Sequence, residues 1–212
     1  MSGLKDDQFY TVEHAETSIE HKVKGSRFIA SVFHVRTKRE AEDRYDRLCR
    51  KYHDASHNCF AYRIDEHVFR YSDNGEPAGT AGRQILRILE RKNIHQVLIV
   101  VTRYFGGTKL GTGGLSRAYS DAAKQVLDRV KVIVKIKYKT ISLVTDYDHM
   151  REILALVNKF NGMIGKTDYA DNVIFSAQIP YSKFSTFQKE INSMINRGIV
   201  QFHLEDNSSA NA

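Results

Sequence analysis

Six residues in the middle of the chain, Val97 to Thr102 (VLIVVT), carry no charge and are mostly β-branched. Such a run is the mark of a strand covered on both faces, because a half-exposed strand alternates polar with apolar residues. The strand leads directly into RYFGGTKLGTGGLSRAY, and a second glycine-rich loop, SDNGEPAGTAG, precedes it from Ser72. Eight of the thirteen glycines fall between Ser72 and Tyr119. Glycine at that density marks backbone that turns tightly, takes positive φ or admits another molecule close to the main chain.

Cations stand among these glycines. Arg103, Lys109 and Arg117 flank the second loop, and bare amides beside cations suit an anion such as phosphate or RNA. The wider charge distribution points the same way. Residues 81 to 140 hold thirteen Lys and Arg against three acidic residues, a net +10 in a chain whose total is +7, so the rest sums to −3. A concentrated basic segment fits a polyanionic partner, although solvated helix and strand faces produce the same count.

On either side of this centre the chain reads as regular α and β elements. Residues 17 to 35 alternate around Lys24-Gly25-Ser26, as a β-hairpin does. Thr37 and Glu40 form a capping box for a helix whose buried stripe is Ala41, Tyr45, Leu48 and Tyr52. His57 to Ile64 and His67 to Tyr71 are expected strands joined at Asp65-Glu66, Ala81 to Arg91 an expected helix, and a further helix runs from Leu115 with Ala118, Ala122 and Ala123 facing the sheet. Beyond Lys131 the order is strand 136–144, helix 147–160, strand 163–169, strand 173–180, helix 183–196 and strand 199–204. That is βαββαβ, a ferredoxin-like unit, with Asp146 and Ser182 as helix caps and Gly162 and Gly198 as stops.

The expected architecture is therefore mixed α/β (α+β) with two domains, residues 1–133 and 134–205, each with helices on one face of a sheet, and a disordered tail at 206–212. The chain contains no run of eighteen apolar residues and no signal-like start, so the expected address is cytoplasmic, without membrane insertion. Cys49 and Cys59 are too few for a disulfide framework and are expected to be reduced.

The motifs YSDNGEPAGTAG and VVTRYFGGTKLGTGGLSRAY, with KGSRFIA from Lys24 and DASHNCFAY from Asp54, resemble the IMPACT/YigZ family in its bacterial, two-domain form. The resemblance implies a first domain similar to the second domain of ribosomal protein S5, and a second domain resembling the carboxy-terminal modules of elongation factor G. It also implies a link to translation. Eukaryotic relatives restrain a stress kinase by competing for its co-activator, which implies a protein-docking role as an alternative.

Neither loop is a familiar nucleotide motif. From Gly106 to Gly111 the glycine spacing fits a P-loop, but Thr112 stands at the lysine position, and Ser116 stands where the dinucleotide fingerprint needs its last glycine. The expected contact set for RNA or another ligand is Arg103, Tyr104, Gly106, Gly107, Lys109, Gly111, Gly113, Gly114 and Arg117, with Asp73 and Glu76 from the first loop. Tyr104, Phe105, Tyr119, Tyr62 and Tyr71 are aromatics available for base stacking, Tyr104 the foremost by its place beside the glycine turn. Asp73 and Glu76 also fit an acid–base pair or a hard-cation site, and His53, His57 and Cys59 a metal or thiol site; ordinary turn formation, a buried thiol and a hydrogen-bonded histidine explain them without that chemistry and are the readings preferred. The leading expectation is a non-catalytic protein with no cofactor and no metal that binds RNA or the ribosome. A phosphate-binding enzyme and a protein-docking regulator are the alternatives.

Overall fold

A computed structural model describes residues 7–13 and 16–204. The tail at 206–212 lies outside the described residues. In chain order the elements are β1 (Gln8–Val12), β2 (Glu16–Val23), β3 (Ser26–His34), α1 (Lys38–Lys51), β4 (His57–Arg63), β5 (Phe69–Ser72), α2 (Gly82–Arg91), β6 (Val97–Tyr104), α3 (Gly111–Leu127), β7 (Val132–Ile136), β8 (Tyr138–Thr145), α4 (Met150–Lys159), β9 (Met163–Tyr169), β10 (Val173–Pro180), α5 (Tyr181–Asn196) and β11 (Val200–Leu204). The described residues divide into two units, 10–134 and 7–9 with 135–204, and the division passes through the paired strands β1 and β7.

The first unit is built on a five-stranded sheet in the order β2-β3-β6-β4-β5, with every neighbouring pair antiparallel. β6 lies at its centre, which explains the unbroken apolar run. Val97, Ile99 and Val101 face α2 and α3, whose Ile85, Leu89, Ala118, Ala122 and Ala123 are buried against them. Leu98 and Val100 face the other way, onto α1 through Phe60, Tyr62, Ala41 and Leu48. The expectation of helices on one face is therefore corrected for this unit. Strand alternation places apolar residues on both faces of β6, and a single helical layer would leave one of those faces in water.

Local chemistry fixes the ends of these elements. The amide of Glu40 donates to Thr37 Oγ1 at 3.1 Å, and the Glu40 carboxylate accepts from the Arg36 amide at 2.7 Å, which anchors the start of α1. Lys24 and Gly25 both take positive φ, as a two-residue turn between twisted antiparallel strands requires. Asp65 accepts the amides of His67 and Val68 at 2.7 Å and closes the β4–β5 turn.

In the second unit the order β8-α4-β9-β10-α5-β11 folds into an antiparallel sheet of order β11-β8-β10-β9. One face is apolar: Ile141, Leu143, Phe175, Ala177 and Ile179 pack with Ile153, Val157, Phe187 and Ile191 of α4 and α5. Two expected caps are corrected. Asp146 accepts from the His149 amide at 2.8 Å, and α4 starts only after His149. Ser182 lies inside α5, which begins directly after Pro180, and its hydroxyl donates to the Asp7 carboxylate instead. Gly198, at φ 74°, stops α5 as expected.

Candidate binding site

The first glycine loop, between β5 and α2, is closed on itself. Asp73 accepts the amides of Gly79 and Ala81 at 2.8 and 2.9 Å, one on each carboxylate oxygen. The Asn74 side chain accepts from the Asn58 backbone amide at 2.7 Å, and the Asn74 backbone amide donates to Ser72 Oγ. Glu76 turns inward and is only 8% exposed. Its Oε1 accepts from Arg103 Nη1 at 2.7 Å and from the Tyr119 hydroxyl at 2.8 Å, with His57 Nε2 at 3.9 Å.

This pair joins three elements across the sheet. Arg103 is the penultimate residue of β6 and is 5% exposed, Tyr119 comes from α3, and Glu76 comes from the loop. The other end of the guanidinium donates to Ser26 Oγ at 3.3 Å on β3. In an interior of low dielectric each charge is tolerable only beside the other, so the pair fixes both side chains. Arg103 and Glu76 are therefore not exposed ligand contacts. They are the pin that holds the first loop to the strand carrying the second.

Cys59 lies beside the pin, its sulfur 3.0 Å from the Asp73 carbonyl oxygen and 3.3 Å from the Tyr119 hydroxyl. Burial pushes its thiol up to about 12, and the neighbouring carboxylates of Glu76 and Asp73 push the same way. Burial thus disfavours the thiolate, the nucleophilic form of cysteine. Burial raises the Tyr119 phenol still further. His57 Nδ1 is 2.8 Å from the Asn74 carbonyl oxygen, and among the described residues no three His, Cys, Asp or Glu side chains form a group able to hold a metal ion.

The second loop, between β6 and α3, differs in its outward side. Its base is anchored: the Gly106 amide donates to Ser26 Oγ at 3.2 Å, and a Cβ on Gly106 would fall 1.9 Å from the carbonyl carbon of Gly25. Hairpin tip and glycine loop thus touch backbone to backbone, which explains Lys24-Gly25-Ser26 as part of the same assembly. Beyond this contact the loop opens. Added Cβ atoms at Gly107, Gly111 and Gly113 would meet nothing within 4 Å.

α3 begins at Gly111 with no capping side chain and no acidic residue in its first turn. No side chain therefore compensates its leading amides or the positive end of its dipole. Lys109 and Arg117 are exposed, and neither forms an ion pair among the described residues. Of the aromatics, Tyr62 and Tyr119 are buried. Tyr104 is partly covered, its hydroxyl donating to Asp54 at 2.7 Å; that bond raises the phenol's pKa and lowers the carboxyl's. Phe105, not Tyr104, is the more exposed ring beside the glycine turn, at 51%. The strand ladder stops at Tyr104, which lies against β3, and the next residue is the first to turn outward.

Residues 24–127 match the family model described as the Impact N-terminal domain. IMPACT family member YvyE of Bacillus subtilis is 31% identical over 89% of this chain and 87% of its own length. IMPACT family member YigZ of Escherichia coli is 30% identical over 91% and 96%. The chain belongs to the IMPACT family. A crystal structure described only as a hypothetical protein superposes on it with a TM-score of 0.66 and 29% identity, covering 95% of this chain and 99% of the other. The matched domain of this IMPACT family member contains both glycine loops, the Gly25 turn and the buried pin. Among the described residues no helix is long and apolar enough to cross a membrane.

Proposed function

We propose that this IMPACT family member is a non-catalytic RNA-binding protein of the translation machinery, and that it holds the RNA backbone with the second loop and the opening turn of α3. The observation that carries this reading is the uncompensated start of α3, with bare glycine amides between the unpaired cations Lys109 and Arg117. Anionic oxygens satisfy both the amides and the cations. The S5-like reading of the first unit and the elongation-factor-like reading of the second support the same destination, the ribosome or its RNA. Against an enzyme that works through the first loop, Asp73 and Glu76 spend their carboxylates on partners inside the protein and burial disfavours the Cys59 thiolate, so none of these three is offered to a substrate.

The test is a salt titration of RNA affinity with the wild-type chain and the Lys109→Ala/Arg117→Ala variant. Each lost phosphate contact on a single strand lowers the slope of log affinity against log salt by about 0.7, so the double variant should lose about 1.4. Equal affinity and slope for the two proteins would remove the second loop from RNA binding.

A further inference from the structure

Resting on the RNA reading above, we infer that Phe105 is a stacking platform for an unpaired base, which makes single-stranded RNA the substrate class. Phe105 is half exposed, yet it is held firmly. Its amide donates to Ser56 Oγ at 3.0 Å, and its ring centroid lies 5.6 Å from the Arg103 guanidinium carbon. That guanidinium is itself fixed, at 2.7 Å from Glu76 and packed 5.5 Å from the Phe28 ring. A cation against one side of the ring orients it and leaves the remaining surface to a ligand. The residues that follow, Gly106 and Gly107, carry no side chains to cover it, and Gly106 is pinned by its contact with Gly25.

The surroundings select the partner. Lys24, at the hairpin tip touching Gly106, is exposed and forms no ion pair among the described residues, and Lys109 stands four residues beyond Phe105. Protein interfaces are depleted of lysine around their aromatic anchors, whereas single-strand sites combine a cationic track with aromatic faces. A duplex offers no exposed base face to such a ring, since its bases are stacked on each other and an A-form helix is read by shape and backbone. An aromatic held at a turn before motion begins also loses little freedom on binding.

The experiment is fluorescence anisotropy with a labelled twelve-nucleotide RNA and its duplex form, using the wild type, Phe105→Ala, Phe105→Tyr and Lys109→Ala/Arg117→Ala. Phe105→Ala should weaken single-strand binding about ten-fold, by the loss of one base stack, without changing the salt slope. Phe105→Tyr should stay within about two-fold of wild type, because the π-face is retained. Duplex binding should be weaker than single-strand binding and indifferent to Phe105. Unaltered melting of Phe105→Ala would show that its fold is intact. If Phe105→Ala binds as wild type while the charge variant is weakened, the stacking inference fails and the RNA reading stands. Equal duplex and single-strand affinity likewise overturns the inference. If the wild type binds neither RNA, both readings fail, and the exposed aromatic belongs to a protein-docking face.

Discussion

The two glycine-rich loops are alike in composition and opposite in use. Between Ser72 and Ala81 the polar side chains of Asp73, Asn74 and Glu76 are spent on partners inside the protein, and Glu76 reaches the core. Between Phe105 and Gly114 the base is pinned and the tip is bare: an exposed phenylalanine, the unpaired cation Lys109 and helix amides without a side-chain cap. One loop is a fastening and the other is a surface. Glycine content alone does not separate these uses; what separates them is whether the neighbouring charges already have partners.

The contrast breaks most sharply at the pin. Glu76→Ala should cost about 3–5 kcal/mol, since it leaves Arg103 charged and alone in the interior. Urea unfolding measures this, and a change below about 1 kcal/mol would mean that the first loop is no fastening. The glycines give the next largest effect, with opposite signs. Gly106→Ala should destabilise by about 2 kcal/mol or more, because its Cβ would fall inside the Gly25 backbone. Gly113→Ala has open space and should raise stability by about 0.5–1 kcal/mol through helix propensity, while weakening RNA binding where the phosphate approaches the amide. Parallel melts and binding curves would show the stability rising as the affinity falls; a gain in both would place the ligand elsewhere.

The alkaline limb of stability reports on the pin from another direction. The folded-state pKa of the Cys59 thiol is raised, so the unfolded chain releases that proton first, above about 8.5. The stability linked to it is complete below that pH and is lost as pH climbs toward 12, by up to about 1.4 kcal/mol per pH unit. Cys59→Ala should therefore show a shallower decline between pH 8.5 and 10.5 than the wild type. Parallel declines would show that the thiol does not stay protonated in the folded state.

Much of this fold is legible in the sequence because it is written in local chemistry. The unbroken run at β6, the Thr37–Glu40 box and the alternating pattern after Lys131 each specify an element from neighbouring residues. The side of the sheet on which α1 lies is not legible, because an amphipathic stripe shows that a face is buried and not against what. The division of labour between the loops is hidden for the same reason. It depends on Glu76 meeting Arg103 and on Gly25 meeting Gly106, residues brought together only by strand pairing. Ser182 and Asp146 look like caps by type, yet the hydroxyl of Ser182 has a distant partner in Asp7. Tyr104 and Phe105 differ by one position at a strand end, and that position decides which ring is outside.

Amide hydrogen exchange with and without saturating single-stranded RNA tests the contrast most directly. RNA should protect residues 105–117 and the hairpin tip at 24–26, and should leave 72–81, already bonded internally, unchanged. Protection at 72–81 with none at 105–114 would reverse the assignment of the two loops.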